Sequence, residues 1–411
     1  MNTIKVGKIL VKKYNKEMGE SLTPKEFFCN VLAPLLFFSK IHLVNWTRSK
    51  FFYLFNDLKS GKKRLTVDVF NDTVNSFCSE IERDDANVMT SLNVYGGCAT
   101  PTLKGDGQTT MFCFSDNLYF NIDERYCSFI GSVLGLQCDG WNVYIANEEI
   151  IWNIFNGIKE YRHVLESNSN FKDKQIHAWN TAYLHSLYNN RLDTICENFF
   201  ASNGALDISK KIKFANLMFL LVKIKQDIRH IELFRCGQMN TACTPILIDL
   251  PYVNTQYKLF EQLYNTINED FEYLDFEKHF GGKNLMYKAI ECGYVSTSFF
   301  NPLSDVKSDK LNEKQILYLK LTMDKTLQDL ALHLATTIKK EKKESKLVFN
   351  EDNIFKERNV SKIIEVITNM TYGDELEDVV LFLINPSTSK ENIANFLVFS
   401  KYNFTHILKK K

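Results

Sequence analysis

The predicted fold depends on a stretch that begins Asn93-Val94-Tyr95-Gly96-Gly97-Cys98-Ala99-Thr100 and continues through Cys127-Ser128-Phe129-Ile130-Gly131-Ser132-Val133-Leu134-Gly135-Leu136 to Trp141-Asn142-Val143-Tyr144-Ile145. The pair Gly96-Gly97 allows a turn with positive φ, which a side chain would disfavour. The last segment has the aromatic and branched residues that are common in strands. We therefore expect a buried α/β unit with two small-residue loops at its edge.

The apolar run in this stretch is interpreted as a helix over 129–136. Two pairs of small residues, Ser128/Ser132 and Gly131/Gly135, recur four positions apart, so one helix face can approach another backbone closely. Asn147 is a favourable N-cap for the next helix, and Glu148 and Glu149 follow it where the positive helix end stabilises acidic side chains.

The composition is that of a globular protein with ample length for a hydrophobic core. The chain has 411 residues, a formal net charge of +1, 45% hydrophobic residues and 24% charged residues. Two to three domains are expected. Near-neutrality argues against a uniformly basic nucleic-acid-binding surface, so any contact with nucleic acid would use local patches.

The ten cysteines are scattered and include no C-x-x-C pair, which argues against a zinc ribbon. Many lie within apolar runs, so they are interpreted as reduced core residues of a cytoplasmic protein. No signal peptide is recognised at the start, and the apolar run 27–38 is too short to span a bilayer.

Helix signals are clearest in the first third of the chain. Thr23-Pro24-Lys25-Glu26 combines an N-cap, a first-turn proline and a capping glutamate. An aromatic-rich segment follows from Trp46 to Phe55 and ends in a basic turn containing Lys59, Lys62, Lys63 and Arg64. Aromatic rings beside cations can bind single-stranded nucleic acid, but a core helix followed by a solvated turn explains the same residues.

The region 205–250 is the second informative one. Lys210, Lys211 and Lys213 precede an apolar helix, and two expected strands, 230–234 and 245–250, flank the polar loop Gly237-Gln238-Met239-Asn240-Thr241. Amide side chains pair with base edges, and lysines hold phosphates. Helices are also expected over 175–200 and, after a polar linker at 302–309, over 311–340, 354–370, 375–384 and 390–408.

The expected fold class is α+β and mostly helical. An irregular mixed α/β region with short strands would occupy residues 1–303, and a C-terminal helical bundle would occupy residues 304–411.

The chain does not carry the common motifs for catalysis. It has no P-loop, no G-x-S-x-G and no H-E-x-x-H. His177 and His185 have no ligand at metal-binding spacing, and the acidic pairs, including Asp374-Glu375, lie at turns or helix starts. No catalytic residue, metal or cofactor is therefore predicted.

The order of several motifs resembles the large-subunit family of type I-B CRISPR interference complexes (Cascade). The resemblance covers roughly residues 1–300 and depends on the five segments Pro24-Lys25-Glu26-Phe27-Phe28, Gly96-Gly97-Cys98-Ala99-Thr100, Asn147-Glu148-Glu149-Ile150-Ile151-Trp152, Ile176-His177-Ala178-Trp179-Asn180 and Gly237-Gln238-Met239-Asn240-Thr241. The C-terminal region matches only as a helical class. Some relatives carry zinc-binding cysteine pairs, which this chain lacks.

The resemblance implies a non-catalytic, cytoplasmic subunit. It would contact the 5′ part of the CRISPR RNA, recognise the protospacer-adjacent motif of double-stranded target DNA and help to open that DNA. Its partners would be the backbone and RNA-processing subunits and a helicase-nuclease recruited after binding, with no membrane. The bundle would resemble a small subunit lying along the strands.

The resemblance does not say which residues recognise the motif. Side-chain chemistry favours Gln108, Thr109, Thr110, Gln238, Asn240 and Thr241 for the bases, and Lys210, Lys211 and Lys213 for phosphate. Two alternatives stay open: a metal-dependent nuclease that uses an acidic cluster, and a scaffold that binds only protein.

Overall fold

A computed structural model describes residues 2–46, 49–82, 121–208, 212–224, 230–236, 244–266, 303, 311–344 and 374–410. The fold is α+β and mostly helical, as predicted, with a few short strands. The chain divides into two compact units, and the division falls after Asn254. The predicted linker lies outside the described residues except for Leu303, and the predicted boundary after residue 303 stays a prediction.

The described helices and strands of the first unit are α1 (Asn2–Met18), α2 (Pro24–Phe27), a π-helix (Phe28–Leu32), α3 (Ala33–Phe37), α4 (Lys50–Lys59), α5 (Val67–Ile81), α6 (Ile122–Ser132), β1 (Leu136–Cys138), β2 (Trp141–Ile145), α7 (Glu148–Ser167), α8 (Ile176–Tyr188), α9 (Ile195–Phe199), α10 (Phe214–Ile224), β3 (His230–Cys236), β4 (Thr244–Asp249) and the start of α11 (Leu250–Thr266). The four strands form one antiparallel sheet in the order β1-β2-β3-β4.

Helices α1 and α6 pack closely because small residues face each other at their crossing. The hydroxyls of Thr3 and Ser128 lie 3.1 Å apart, and both residues are fully buried. A Cβ atom built on Gly7 would come within 2.0 Å of the Cys127 carbonyl oxygen. This contact confirms the prediction that the small residues of α6 allow close approach to another backbone.

The hydrophobic core beside this crossing is rich in aromatic rings. Phe28 stacks on Phe77 with ring centroids 5.5 Å apart, and Phe37 stacks on Phe51 at 4.0 Å. Trp46 lies 5.4 Å from Phe129. These contacts join the π-helix, α3, α4, α5 and α6 into one core.

The predicted helix over 27–38 is present but locally widened. The Thr23–Glu26 capping box forms as predicted. A π-helix then begins at Phe28, and in it the amide of Ala33 donates to the carbonyl of Phe28. Pro34 has no N–H and its ring clashes with the carbonyl four residues earlier in a regular helix, so a wider turn before it relieves that contact.

Three predicted helices were wrong in extent. The helix expected over 129–136 ends at Ser132, and Leu136 already belongs to β1. The helix expected over 175–200 stops at Tyr188, because Asn190 adopts φ 53°. The helix expected over 311–340 is broken before Lys325, where the Asp324 carboxylate accepts the amide of Thr326 at 2.7 Å.

The described helices of the second unit are the remainder of α11, α12 (Glu313–Thr322), α13 (Lys325–Glu344), α14 (Asp374–Ile384) and α15 (Lys390–Lys409). Helices α12 to α15 lie in the region where a helical bundle was predicted, and they pack against one another; the unit also includes residues of α11, which precede that region. Phe382 of α14 lies 5.1 Å from Phe396 of α15, and the Lys339 ammonium on α13 donates to the carbonyl of Ile407 at 2.9 Å. The predicted helix over 354–370 lies outside the described residues.

Candidate nucleic-acid interface

The residues predicted to contact nucleic acid fall mostly outside the described part of the chain. This applies to Gln108, Thr109, Thr110, Lys210, Lys211, Gln238, Asn240 and Thr241, and also to the turn at 96–100. Lys213 is the described member of the set. The assignment of base contacts to the two polar loops therefore stays a prediction.

Lys213 lies beside the turn between β1 and β2. Its ammonium is 3.4 Å from one carboxylate oxygen of Asp139, and the other oxygen accepts the backbone amide of Phe214 at 2.9 Å. Asp139 has φ 47°, so it forms this turn in the left-handed region. Its carboxylate thus neutralises much of the charge that Lys213 was predicted to offer to phosphate, and it anchors the start of α10.

A second basic surface is fully described. We call it the Lys174 patch, and it consists of Lys59, Lys62, Lys63, Arg64 and Lys174. Its members come from the end of α4, the turn after α4 and the loop before α8. All except Lys174 are exposed. This is the basic turn for which the sequence left two interpretations open.

The turn after α4 forms for local reasons. Ser49 caps the start of α4 by accepting the amide of Phe52, and Ser60 ends the helix. Gly61 then adopts φ 74° in open space, and the amide of Lys63 donates to the carbonyl of Asp57 at 3.3 Å. Cations are favourable at a helix C-terminus, so part of this charge has a structural explanation.

Lys174 is held in an unusual conformation. It has φ 62°, a backbone region that side chains other than Asn, Asp and Gly seldom adopt, and its amide donates to the carbonyl of His42 at 3.1 Å. Its ammonium lies 3.3 Å from the centroid of the Phe55 ring. A cation over an aromatic face is attracted by the electron density of the ring. The backbone and the ring together fix the position of this charge.

The charges of the patch are only partly compensated. The pKa of Lys174 is lowered, chiefly by burial; Asp173 opposes this effect and the nearby Lys59 ammonium adds to it. The Lys63 ammonium lies 3.2 Å from Asp57. Two of the five cations thus have a neighbouring carboxylate, Lys63 with Asp57 and Lys174 with Asp173, and positive charge predominates among the five. Such an excess of positive charge on one surface attracts polyanions.

Aromatic side chains lie at both sides of α4. Phe55 is half-buried, and its ring centroid lies 4.8 Å from that of His42. Tyr53 is 55% exposed, which is high for a large ring, and it lies one helical turn before Asp57. Tyr53 thus offers an exposed ring on the helix whose C-terminal turn carries the patch, and exposed rings on basic surfaces can stack a base.

His42 is a neutral, buried side chain that packs against Phe55 of the neighbouring helix α4. Burial, together with the charges of Lys174 and Arg162, lowers its pKa to about 3. Arg162, which lies in α7, donates to the carbonyls of Leu35 and Ile41 and so fixes the loop that carries His42. His42 therefore adds no charge at neutral pH but packs beneath Phe55.

Two residues of the sequence motif at 176–180 have structural roles. His177 bonds the carbonyl of Ser132 at 2.8 Å, and burial lowers its pKa. Asn180 donates to the carbonyls of Val133 and Gly135 at 2.8 and 3.0 Å. Together they hold the end of α6 and the approach to β1. Sequence reasoning missed this role, although an Asn at a core-facing position of α8 was a usable signal.

Neither a metal site nor a membrane-spanning helix occurs in the described ranges. Within them, no group of three or more His, Cys, Asp or Glu side chains is arranged to hold a metal ion. Among the described helices, none combines the length and the apolar character needed to cross a bilayer. No family model, curated protein or solved structure matches the chain.

Proposed function

We propose that the chain is a non-catalytic nucleic-acid-recognition subunit of a cytoplasmic RNA-guided complex, of the kind formed by the type I-B CRISPR large subunits that its sequence resembles. In this role it recognises the protospacer-adjacent motif of double-stranded target DNA and contacts the 5′ part of the CRISPR RNA. Its partners are the backbone and RNA-processing subunits, and a helicase-nuclease joins after binding.

One observation supports the proposal most directly. Lys174, in a left-handed backbone conformation, keeps its ammonium 3.3 Å above Phe55 and close to Lys59. Keeping two ammonium groups together costs free energy unless an anion lies between or above them. A phosphate on this surface would remove that cost.

The proposal assigns affinity and selectivity to different surfaces. The Lys174 patch contacts phosphates, which contribute affinity without reading sequence. The polar residues of the two loops, Gln108–Thr110 and Gln238–Thr241, contact base edges and contribute selectivity for a short motif. A nearly neutral chain can bind DNA in this way because only local charge is needed.

Salt-dependent binding tests the phosphate part. A labelled DNA duplex is titrated with the full chain at several salt concentrations, and the logarithm of the binding constant is plotted against that of the salt. The variant K59A/K62A/R64A should show a slope shallower by about 0.9 for each phosphate that the protein no longer neutralises. The control K5A/K12A/K16A removes three exposed lysines of α1. Equal slopes for wild type and the patch variant would contradict the proposal.

Motif selectivity is tested in the assembled complex. The chain is purified with its partner subunits and a short CRISPR RNA, and duplexes that differ only in the flanking motif are compared. The expected result is a clear preference for some flanks, which Gln108→Ala or Gln238→Ala weakens. If the complex binds duplexes with every flanking motif equally tightly, and neither substitution changes this, the assignment of base contacts to these loops is wrong.

The two alternatives predict different results. A metal-dependent nuclease would cleave DNA with Mg²⁺, and EDTA or Asp374→Ala would abolish the cleavage. A scaffold that binds only protein would elute at the same salt concentration with and without nucleic acid.

A further inference from the structure

Two cysteines from distant parts of the sequence are in contact in the first unit. The sulfur of Cys29, in the π-helix, lies 3.4 Å from the sulfur of Cys78, in α5. Both are free thiols, as are Cys127, Cys138 and Cys196, the other cysteines whose side chains are described. A disulfide has an S–S length of about 2.05 Å, so the two sulfurs need to approach by only about 1.4 Å.

The irregular helix brings the two thiols together. The π-helix widens the backbone at Cys29 immediately before Pro34, and the neighbouring Phe28 stacks on Phe77, which precedes Cys78. The aromatic contact thereby aligns the two cysteines side by side. π-helical turns are rare and often occur at functional positions.

A charged and polar group borders the pair. The Lys25 ammonium lies 2.6 Å from a carboxylate oxygen of Glu82, and the Tyr126 hydroxyl donates to the same oxygen at 2.8 Å. The hydrogen bond from Cys29 lowers the pKa of Cys78 to about 7; burial opposes this effect and Tyr126 contributes to it. The same interaction and burial raise the pKa of Cys29. The first proton of the pair is therefore lost more readily from Cys78 than from Cys29.

The two cysteines differ in their exposure to solvent. Cys78 is 5% exposed, whereas Cys29 is half-buried. A small molecule can reach Cys29 first, and Cys78 is then within attacking distance. This arrangement of an accessible thiol and a protected neighbour is that of a reversible dithiol.

We propose that Cys29 and Cys78 form a redox site that is oxidised to an intramolecular disulfide by low-molecular-weight disulfides such as oxidised glutathione. The Cys78 thiolate takes the proton of Cys29 across the 3.4 Å contact, and the resulting Cys29 thiolate attacks one sulfur of the small disulfide. The S–S bond of that molecule breaks, and the first small thiol departs as a thiolate that takes a proton from solvent. The Cys78 sulfur then attacks Cys29 in the mixed disulfide, and the second small thiol departs with the Cys78 proton. Two electrons pass from the cysteines to the small disulfide.

The disulfide would tie the π-helix to α5. The two elements already contact each other through Phe28 and Phe77, so the bond would join elements that are packed together in the reduced protein. Oxidation should therefore raise the unfolding temperature of the first unit, since the bond closes a long loop in the unfolded chain. This site is independent of the proposed nucleic-acid contacts.

Peptide mapping of the full chain tests the proposal. The reduced protein is equilibrated anaerobically at neutral pH in a series of reduced and oxidised glutathione mixtures, quenched with acid, alkylated and digested without reductant. The expected product is a peptide that joins Cys29 to Cys78, with the loss of two alkylatable thiols, and dithiothreitol should reverse it. Cys29→Ser should abolish it, whereas Cys196→Ser, which replaces another half-buried cysteine, should not.

Three results would overturn the proposal. They are alkylation of both cysteines throughout the series, a stable glutathione adduct on Cys29 without the cross-link, and a cross-link from either cysteine to a different one. If Cys29→Ser does not fold, as judged by circular dichroism, the wild-type peptide map alone decides between these results.

Discussion

Gly131 lies against the backbone of Thr3: a Cβ atom built on Gly131 would come within 1.8 Å of the Thr3 carbonyl oxygen. No real Cβ makes such a contact, so α1 and α6 could not keep their present separation with any other residue at this position. The small residues that marked this helix in the sequence are thus required by its close contact with α1.

The first prediction concerns this contact. Gly131→Ala should lower the free energy of unfolding by about 3 kcal/mol, because the helices must separate and the hydroxyls of Thr3 and Ser128 move apart. Urea denaturation measures the effect. Gly19→Ala is the matched control: Gly19 has φ 67° but nothing within 4 Å, so backbone strain alone should cost about 1 kcal/mol. Equal costs for the two substitutions would contradict the packing argument.

The second prediction separates binding from stability at Lys174. In Lys174→Gly, glycine relieves the strain of the left-handed backbone at this position, which is worth about 1–2 kcal/mol. This gain offsets two losses: the cation–ring interaction with Phe55 disappears, and glycine has greater freedom in the unfolded chain. Stability should therefore change by less than about 1 kcal/mol, while the affinity for DNA falls.

Thermal unfolding and DNA titration of the same preparation check this prediction. Lys172→Gly is the control, because Lys172 is not among the residues with positive φ and should lose stability without any backbone relief. A variant K174G that is both unstable and fully competent in binding would refute the assignment of Lys174 to phosphate.

The third prediction is a pH dependence. The folded chain keeps His42 neutral down to a pKa of about 3, whereas an unfolded histidine takes up a proton near pH 6.5. Between these values the unfolded state binds more protons, so stability falls as the pH decreases from 6.5, by up to about 1.4 kcal/mol per pH unit. His42→Leu should make this slope shallower and leave the slope above pH 7 unchanged.

Unfolding free energies measured from pH 4 to pH 8 check it. Carboxylates contribute equally to wild type and variant, so their effect cancels in the difference. His185→Leu should act in the same direction, since burial lowers the pKa of His185 to about 4. Unchanged slopes in both variants would show that the two rings are not buried as neutral groups.

The fourth prediction concerns the buried amide of Asn180. Asn180→Leu keeps the approximate volume but leaves the carbonyls of Val133 and Gly135 without their donor, so it should cost about 3 kcal/mol. Thr181→Val removes one donor, a hydroxyl shared between the carbonyls of Gln137 and His177, and should cost about 1 kcal/mol. Denaturation midpoints of the two variants check this order, and a smaller cost for Asn180→Leu would refute it.

Local signals in the sequence predicted much of the fold. The capping box at Thr23, the N-cap at Asn147 and the strand over 141–145 are all present, because each depends on neighbouring residues alone. The helix expected over 390–408 is likewise present as α15. One error had a distant cause: the end of α6 at Ser132 depends on carbonyl contacts from His177 and Asn180, over 40 residues away. The other two had local causes, the positive φ of Asn190 and the contact of Asp324 with Thr326.

The candidate interface shows the same division. The basic turn and the aromatic residues of α4 were evident from the sequence, and so was their possible use in nucleic-acid binding. Lys174 was not, because it lies more than 100 positions from Phe55 and its neighbours along the chain carry no pattern. The pairing of Lys213 with Asp139 could not be predicted either, since it depends on the turn between β1 and β2.

The sequence by itself determined which segments become helices and strands, where small residues permit close contact, and which stretches are basic. Only the tertiary structure decided which of those charges are compensated and which thiols meet. The physical reason is range: capping, periodicity and turn preference act within a few residues, whereas ion pairs, cation–ring contacts and the approach of Cys29 to Cys78 depend on how the completed elements pack.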